Sequence, residues 1–182
     1  MKLYFIAGEN SGDFIGAKII KSIKEANADD NKTIVFSGIG GKLMESQGVG
    51  SLFDFEQLNL MGFVEVLPHI FQLKKLIDAT AMDVIKNGTD ILITIDSPGF
   101  TFRVAERVKI LAPAIKLVHI VAPSVWAYKP GRAKKYAKIY DKLLTLFPFE
   151  PPYFTAHGLS AECIGHPILE PEFGQRKKGL LA

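Results

Sequence analysis

A carboxylate at the end of an apolar segment is the feature of this sequence best suited to acid–base chemistry. Asp96 follows residues 90–95, whose apolar side chains predict a strand buried on both faces of a parallel sheet. Apolar surroundings raise the pKa of a carboxyl group toward that of a usable general base. Asp96 also precedes Ser97-Pro98 and a predicted helix, so it could act as a helix N-cap. The two roles are compatible, and we predict Asp96 as the catalytic residue with the capping alternative open.

Two glycine-rich turns follow the first two predicted strands. One is Gly8-Glu9-Asn10-Ser11-Gly12-Asp13 and the other is Gly38-Ile39-Gly40-Gly41. Glycines let a backbone approach a ligand closely, and a helix amino terminus offers free N–H groups to an anion or a sugar hydroxyl. The spacing matches neither the dinucleotide-binding motif nor the P-loop. The structural alternative is a capped helix start, with Ser11 or Asp13 as the cap. The substrate-binding candidates in these turns are Gly8, Glu9, Asn10, Ser11, Gly12, Gly40 and Gly41.

An aromatic and basic segment at residues 119–129 contains the only tryptophan of the chain. Aromatic rings followed by cations suit stacking on a sugar or base and contact with a phosphate. The alternative is packing beneath a neighbouring domain. His119 falls inside a predicted strand, where a core histidine is more common than a catalytic one. The substrate-binding candidates of this region are Ser124, Trp126, Lys129 and Arg132.

Two further stretches could face a membrane. Lysines and arginines recur through residues 129–142, and such a run is usually a solvated helix face, although it could contact anionic lipid or a phosphorylated substrate. Residues 61–77 are very apolar. Most such stretches are core helices, but apolar positions this crowded also suit a partly exposed patch for acyl chains. The predicted patch consists of Met61, Val64, Val66, Leu67 and Ile70.

Short apolar segments alternate with segments of helical period along the chain. The predicted strands are residues 3–7, 33–37, 90–95, 116–121 and 142–146. The predicted helices are residues 15–23, 42–47, 61–86 with a break at Pro68, 103–111 and 132–140. Strand–helix units without hairpin signals predict an α/β fold with a doubly wound, mostly parallel, Rossmann-like sheet. Right-handed crossovers then bring the loops after each strand to one edge, where ligands of such sheets bind.

Composition and charge are those of an ordinary globular domain, with 182 residues, 48% of them hydrophobic, and a formal net charge of +3. A charge this mild does not indicate a nucleic-acid partner. The single cysteine cannot form an internal disulfide, and no spacing of a zinc site is present, so we predict no metal. We find neither a secretory signal nor a membrane span and predict a cytoplasmic protein with peripheral membrane contact at most. Residues 1–167 are predicted to form one domain and residues 168–182 a polar, proline-containing linker.

Seven motifs, taken in order, resemble the amino-terminal domain of the lipid-A-disaccharide synthase family. Any one of them is weak, but together they span nearly the whole chain. They are Ala7-Gly8-Glu9-Asn10-Ser11-Gly12-Asp13, Gly38-Ile39-Gly40-Gly41, Met61-Gly62-Phe63-Val64-Glu65-Val66, Ile95-Asp96-Ser97-Pro98, Pro123-Ser124-Val125-Trp126-Ala127, Leu146-Phe147-Pro148-Phe149-Glu150 and Gly165-His166-Pro167.

The resemblance implies the amino-terminal half of a GT-B glycosyltransferase, in which two Rossmann-like domains face each other across a cleft. The implied reaction transfers 2,3-diacylglucosamine from UDP to 2,3-diacylglucosamine 1-phosphate, with inversion, at the cytoplasmic face of the inner membrane of a Gram-negative cell. No metal and no other cofactor are implied. The implied partners are these two substrates, the membrane surface, and a second copy of the chain or a separate carboxyl-terminal half.

Two positions and the length depart from the family pattern. Gly99 stands where a second carboxylate often occurs, and Tyr128-Lys129 replaces a tryptophan–arginine pair, which loses a bidentate phosphate contact. The carboxyl-terminal domain, which supplies most nucleotide-sugar contacts in GT-B enzymes, is expected to be missing. We therefore expect the chain alone to be inactive or nearly so. The alternative is a non-catalytic or split-gene fragment that binds lipid or a separate carboxyl-terminal half.

Overall fold

The structure is a computed structural model that describes residues 1–28, 33–55, 57–58 and 70–167. In these described ranges, six strands form a single sheet in which every neighbouring pair is parallel. The strands are β1 (Lys2–Ala7), β2 (Val35–Ile39), β3 (Ile91–Ile95), β4 (Lys116–Ile120), β5 (Lys142–Thr145) and β6 (Ser160–Cys163). Their order across the sheet is β2-β1-β3-β4-β5-β6. The predicted α/β class with a parallel, Rossmann-like sheet is confirmed.

Helices cover both faces of this sheet. They are α1 (Asn10–Ala26), α2 (Lys42–Ser46), α3 (Ile70–Lys86), α4 (Thr101–Leu111), α5 (Arg132–Ile139) and α6 (Pro151–Thr155). Alternate residues of a strand point to opposite faces. In β1, Leu3 and Phe5 pack in the core cluster that contains residues of α1 and α2, whereas Tyr4 and Ile6 pack in the cluster that contains residues of α3 to α6. Strands buried on both sides explain why the central segments are apolar without alternation.

The second strand lies two residues later than predicted, because it continues through a glycine. Gly38 pairs with Phe5 of β1, and a Cβ atom at position 38 would lie 1.9 Å from the Phe5 carbonyl oxygen. The backbone at Gly38 has φ of 153°, which is open to glycine and strained for other residues. Glycine was interpreted from the sequence as the end of the strand, whereas it is needed inside it.

Two elements near the carboxyl terminus were not predicted. The helix α6 begins with Pro151-Pro152, and proline is common in the first turn of a helix because its missing N–H is not needed there. The strand β6 has the sequence Ser-Ala-Glu-Cys, and none of its four residues is fully buried. It pairs with β5 at the edge of the sheet, where a strand needs no apolar run. The weak apolar pattern explains why it was missed.

Several predictions fall on residues that the structure does not describe. Met61, Val64, Val66 and Leu67 of the acyl patch lie outside the described residues, and Ile70 is described only as the first residue of α3. Residues 168–182 also lie outside, so the linker and the boundary of the domain at residue 167 stay predictions. Within the described part of the chain, no helix combines the length and apolar character that crossing a bilayer requires.

Candidate active site

The carboxyl ends of the parallel strands lie at one edge of the sheet, and the loops that follow β1, β2, β3 and β4 all start there. The predicted site residues in these loops therefore lie at one edge of the sheet, and their roles stay predictions. The strand order places β2 on one side of β1 and β3 on the other. Successive connections therefore diverge between β1 and β3, and such switch points are where open α/β sheets form their binding crevices. Gly8 follows β1 at this point and Asp96 follows β3.

The turn after β3 has an unusual backbone. Asp96 and Ser97 have φ of 50° and 46°, in the left-handed region that residues other than glycine seldom occupy. The Thr101 hydroxyl donates to the carbonyl oxygens of Asp96 at 2.6 Å and of Ser97 at 3.0 Å, and the Asp96 N–H donates to Ile120 of β4 at 3.0 Å. These bonds hold two strained residues in place. Strain of this kind, about 1–3 kcal/mol for each residue, is concentrated at functional sites.

The Asp96 carboxylate keeps one oxygen available. Its Oδ1 accepts a hydrogen bond of 2.8 Å from the N–H of Ser97, and no other described residue bonds to the carboxylate. The following helix, α4, begins at Thr101 with Phe100 at the N-cap position. The alternative that Asp96 caps this helix is therefore wrong. Its side chain instead bonds to the next residue of the same turn, which leaves Oδ2 for a ligand.

The electrostatic surroundings of Asp96 suit a base. Burial raises the pKa of this half-buried carboxyl above its ordinary value of 3.8, the N–H of Ser97 lowers it in part, and the negative charge of Glu9 raises it further. A carboxylate made more basic by its surroundings is a better proton acceptor near neutral pH. The predicted increase in basicity has the predicted cause, with Glu9 as an additional contributor.

The first glycine-rich turn is fastened to the turn after β3. The Ser97 hydroxyl donates to Oε1 of Glu9 at 3.0 Å. A Cβ atom at Gly8 would lie 2.4 Å from Cβ of Ser97, so only glycine allows these two turns to approach this closely. Asn10 and Ser11 are exposed beside Glu9 on the same turn. The turn thus presents two polar side chains to solvent and one carboxylate to the Asp96 turn.

Asp13 has a structural role that differs from the predicted one. Helix α1 has Glu9 at its N-cap position, and no side chain caps it. Asp13 is buried at 4% exposure, and its carboxylate accepts hydrogen bonds from the N–H groups of Gly41, Leu43 and Met44 at 2.9 to 3.0 Å. The prediction that Ser11 or Asp13 caps α1 is therefore wrong. Asp13 caps α2 instead and joins the two glycine-rich turns.

The remaining glycines of the two turns are buried and in contact with the protein itself. A Cβ atom at Gly12 would touch Ala7 at 3.3 Å, and one at Gly41 would lie 2.7 Å from Oδ2 of Asp13. The Gly40 N–H donates to the Ser51 hydroxyl at 3.3 Å. Packing therefore accounts for these glycines, and direct substrate contact by Gly8, Gly12, Gly40 and Gly41 stays a prediction.

A cavity opens between the two glycine-rich turns. Its volume is about 560 Å³, within the range of small-molecule sites. Asn10 lies on one side, Gly40 and Gly41 on the other, and Phe53 and Phe55 add apolar surface. Sequence analysis named substrate-binding candidates in both turns, but it did not identify the phenylalanines, which lie in a segment without a recognisable motif.

The segment after β4 presents an exposed aromatic surface. Trp126 is 38% exposed and packs edge-on against Phe149 with ring centres 4.9 Å apart, while Tyr153 lies 6.3 Å away. Ser124 is also exposed. Sequence analysis found Trp126 but not its neighbours from the segment after β5. Both predicted roles, stacking on a ligand and packing beneath another domain, fit an exposed aromatic surface of this kind, and they remain open.

Cations adjoin this surface. Lys129 and Arg132 lie 4.7 and 5.9 Å from the ring of Tyr128, and a hydrogen bond and the positive charge of Lys129 lower the pKa of that tyrosine. Arg132 also lines a second pocket, of about 300 Å³, between the start of α4 and α5. Lys135, from the basic run that sequence analysis offered for lipid or a phosphorylated substrate, also lines it. The other lining residues, which sequence analysis did not assign to a site, are Pro98, Gly99, Phe102, Arg103 and Tyr136. Arg132, Lys135 and Tyr136 could have been grouped, since residues three and four apart share a helix face.

His119 is a core residue, as predicted. It is 1% exposed, its Nδ1 lies 2.8 Å from the Thr94 hydroxyl, and its ring packs against Tyr136 and Tyr140. Burial lowers its pKa to about 3, so the ring is neutral at physiological pH. Among the described residues, no three His, Cys, Asp or Glu side chains are grouped closely enough to hold a metal ion.

Comparison with known proteins identifies the family. The sequence model described as lipid-A-disaccharide synthetase matches residues 3–181. The chain belongs to this family. It is 62% identical to a lipid-A-disaccharide synthase of Rickettsia akari over 98% of the chain and 45% of the relative, and 61% identical to that of Rickettsia felis over the same shares. For Rickettsia conorii the identity is 57%, over 99% of the chain and 43% of the relative. The chain thus spans somewhat less than half the length of these relatives.

The lipid-A-disaccharide synthase motifs perform distinct structural tasks in this chain. The motif around Asp96 forms the strained turn, and the first motif supplies both the contact of Glu9 with that turn and the buried cap from Asp13. In the motif that ends in Glu150, Oε2 of this buried glutamate accepts hydrogen bonds from the N–H groups of Leu146 and Phe147 at 3.0 and 2.9 Å. That motif fixes the turn that carries Phe149, the ring against which Trp126 packs.

Proposed function

We propose that this chain provides the acceptor side of a lipid-A-disaccharide synthase, an inverting glycosyltransferase. The reaction moves 2,3-diacylglucosamine from UDP to the 6-hydroxyl of 2,3-diacylglucosamine 1-phosphate and gives lipid A disaccharide 1-phosphate and UDP. Membership of the family supports the reaction. The single observation that carries the role of this chain is Asp96, a half-buried carboxylate with a raised pKa and one free oxygen, at the switch point of the sheet.

Asp96 is the general base in this proposal. Oδ2 accepts the proton of the acceptor's 6-hydroxyl while the oxygen attacks the anomeric carbon of the donor sugar. The new carbon–oxygen bond forms as the bond to the UDP oxygen breaks, and the electron pair leaves with UDP. Attack on the face opposite to the leaving group inverts the configuration. The protonated carboxyl then returns its proton to solvent.

The surrounding residues position the two sugars. Glu9 raises the basicity of Asp96 and is held by Ser97, while Asn10 and Ser11 offer hydrogen bonds to sugar hydroxyls beside it. Ser124 and Trp126 lie on the loop after β4 at the same edge of the sheet, where an indole ring can stack on a sugar face. Lys129 and Arg132 supply positive charge for phosphate.

The membrane and partner assignments are also proposals. Diacylated substrates reside in a bilayer, so the protein should bind to the cytoplasmic face of the inner membrane. The residues proposed for contact with acyl chains are Met61, Val64, Val66, Leu67 and Ile70. The nucleotide-sugar contacts would come from the part of the relatives' length that this chain does not match.

The test is a chimera in which this chain replaces the matching amino-terminal portion of the Rickettsia akari relative. We expect the chimera to convert UDP-2,3-diacylglucosamine and 2,3-diacylglucosamine 1-phosphate to disaccharide and UDP, and the chain alone to be inactive. A folded chimera without activity would favour the alternative, a non-catalytic fragment that binds lipid.

Polar replacements at Val64 and Leu67 should reduce sedimentation with anionic vesicles, and unchanged sedimentation would reject the membrane role of that patch.

A further inference from the structure

The second pocket, between the start of α4 and helix α5, collects positive charge. Arg103 of α4 and Arg132 and Lys135 of α5 line the same volume of about 300 Å³. Within the described part of the chain, Arg103 and Lys135 form no ion pair, and the only partner of Arg132 is the ring of Tyr128. Three positive charges around one pocket repel each other. An anion bound between them would offset this repulsion by its attraction to all three.

A buried hydroxyl group without a partner lies in the same place. Tyr136 lines the pocket and is 3% exposed, and its hydroxyl has no hydrogen-bond partner among the described residues. A buried polar group left without a partner costs about 1–3 kcal/mol. Nearby Tyr140 is equally buried, but its hydroxyl is hydrogen-bonded to Thr94 at 3.1 Å. The unpartnered hydroxyl of Tyr136 therefore indicates a ligand atom in place of a protein partner.

Tyr136 also links the pocket to Asp96. Burial raises the pKa of its hydroxyl well above the usual value, the positive charge of Arg132 lowers it, and the negative charge of Asp96 raises it. The hydroxyl is thus within electrostatic reach of both the cationic pocket and the proposed base. Pro98 and Gly99, two and three residues after Asp96, line the pocket on the side of that turn.

We propose that this pocket binds the phosphate monoester of the acceptor sugar, with Arg103, Arg132 and Lys135 around the phosphate and the Tyr136 hydroxyl donating to it. This inference rests on the proposed function and extends it by assigning the acceptor's anionic end. In the acceptor, the 1-phosphate and the carbon bearing the 6-hydroxyl are attached on either side of the ring oxygen. With the phosphate in this pocket, the 6-hydroxyl, beyond the other side of the ring oxygen, would extend toward Asp96.

The chemistry of the lining favours a phosphate ester over a carboxylate or a neutral sugar. Two guanidinium groups can each donate two hydrogen bonds to phosphate oxygens, and a lysine adds a third positive charge. A phosphate monoester carries close to two negative charges at neutral pH and has three terminal oxygens. Among the described residues no acidic side chain lines the pocket, and the negative charge that acts on it from nearby, that of Asp96, is opposed by three cations.

Titration calorimetry of this chain with glucosamine 1-phosphate tests the proposal, with glucosamine and UDP as the comparison ligands. We expect glucosamine 1-phosphate to bind and glucosamine to bind at least about tenfold more weakly, because charge-assisted hydrogen bonds are lost. Arg132→Gln should weaken binding of the phosphorylated sugar by about tenfold or more. The control Lys134→Gln, which removes an exposed charge from the same helix outside the pocket, should change binding less than about twofold.

Several results would overturn the proposal. Equal binding of glucosamine with and without phosphate would show that the pocket does not read phosphate. If Arg132→Gln and Lys134→Gln weaken binding of glucosamine 1-phosphate equally, the binding depends on the overall charge of the helix and not on this pocket. Tighter binding of UDP, lost in Arg132→Gln, would assign the pocket to the donor's diphosphate. If Arg132→Gln does not fold, Lys135→Gln and Tyr136→Phe answer the same question, the latter by a loss of about fivefold from one hydrogen bond.

The role of Asp96 as the general base is tested separately from phosphate binding. Asp96→Asn in this chain should keep the preference for glucosamine 1-phosphate over glucosamine, since any lost contact with the 6-hydroxyl affects both sugars equally and Asp96 is not among the phosphate ligands. If phosphate binding is retained while the chimera carrying Asp96→Asn keeps full turnover, the proposed base is wrong and the phosphate pocket stands. If turnover is lost but wild-type chain binds the phosphorylated sugar no better than glucosamine, the pocket assignment is wrong and the base stands.

Discussion

Two aspartates follow strands at the same edge of the sheet, yet the protein uses them in opposite ways. Asp13 lies in the first turn of α1 after β1, buried, with both carboxylate oxygens occupied by three backbone N–H groups. Asp96 follows β3 in a strained backbone, half-buried, with one oxygen bonded to Ser97 and the other without a partner among the described residues. Position at the edge does not distinguish them. The number of hydrogen bonds that the protein itself makes to each carboxylate does.

The difference separates stability from function. A carboxylate with all its oxygens bonded stabilises the native state and cannot accept a proton without breaking those bonds. A carboxylate with a free oxygen contributes less to folding, and its desolvation raises the pKa instead. We therefore expect substitutions at Asp13 to lower the free energy of unfolding. Substitutions at Asp96 should lower turnover and have little effect on stability.

The largest expected effect is on turnover. Asp96→Asn in the chimera should lower kcat by roughly 10²–10⁴-fold, because the amide cannot accept the hydroxyl proton. Asparagine tolerates the left-handed backbone found here, so the free energy of unfolding of the chain should change by less than about 1 kcal/mol. Product formation by mass spectrometry and urea unfolding are the two measurements. Near-normal turnover in a folded variant would remove Asp96 from the mechanism.

The next largest effect is on stability. Asp13→Asn replaces one acceptor oxygen by an N–H group that faces the backbone N–H groups of α2, and we expect a loss of about 2–4 kcal/mol in the free energy of unfolding. Glu25→Gln on the same helix is the matched control. Within the described residues the Glu25 side chain makes only an exposed ion pair with Lys21, so this substitution should cost less than about 0.5 kcal/mol. Equal effects of the two substitutions in urea unfolding would contradict the capping role of Asp13.

A smaller effect concerns the pH dependence of turnover. The base must be ionised to work, so kcat/KM of the chimera should rise with pH through the pKa of Asp96, at a higher pH than an ordinary carboxyl would give. Glu9→Gln removes a negative charge that raises this pKa, and the acidic limb should therefore move to lower pH. Glu25→Gln serves again as the control and should leave the limb in place. A shift to higher pH on Glu9→Gln would reverse the proposed coupling.

Much of the fold and part of the site could be predicted from the sequence. The central strands are apolar on both faces and were located almost to the residue, and the parallel arrangement followed from the absence of hairpin signals. Edge strand β6 and helix α6 were missed because neither needs a continuous apolar face. The likeness of Asp13 and Asp96 in sequence concealed their difference, since both precede or begin helices. The backbone N–H groups of Leu43 and Met44, which are distant in sequence, donate to Asp13, and only their positions in the fold show that Asp13 has the structural role.

The second pocket could not be predicted for a similar reason. The sequence places Arg132, Lys135 and Tyr136 on one helix face, but the approach of Arg103 and Gly99 depends on how α4 and α5 pack. Whether a buried tyrosine has a partner is likewise a property of the packed state. Tyr136 and Tyr140 are four residues apart, and nothing in their sequence neighbours indicates that, among the described residues, only the Tyr140 hydroxyl has a hydrogen-bond partner.

The smallest expected effect is on the stability of variants at these two tyrosines. Like the two aspartates, they differ in how many hydrogen bonds the protein makes to them, but they are uncharged. Tyr140→Phe removes a hydroxyl that is bonded to Thr94 and should lower the free energy of unfolding by about 1 kcal/mol. Tyr136→Phe removes a hydroxyl that has no partner in the part of the chain that the structure describes, and it should change the free energy of unfolding by less than about 0.5 kcal/mol, or raise it, because a buried unpartnered group is lost. Both variants keep the ring packing, so urea unfolding of each chain compares the hydroxyls alone. A loss at position 136 as large as that at position 140 would mean that the Tyr136 hydroxyl serves the fold, as Asp13 does, and it would no longer be available to the phosphate.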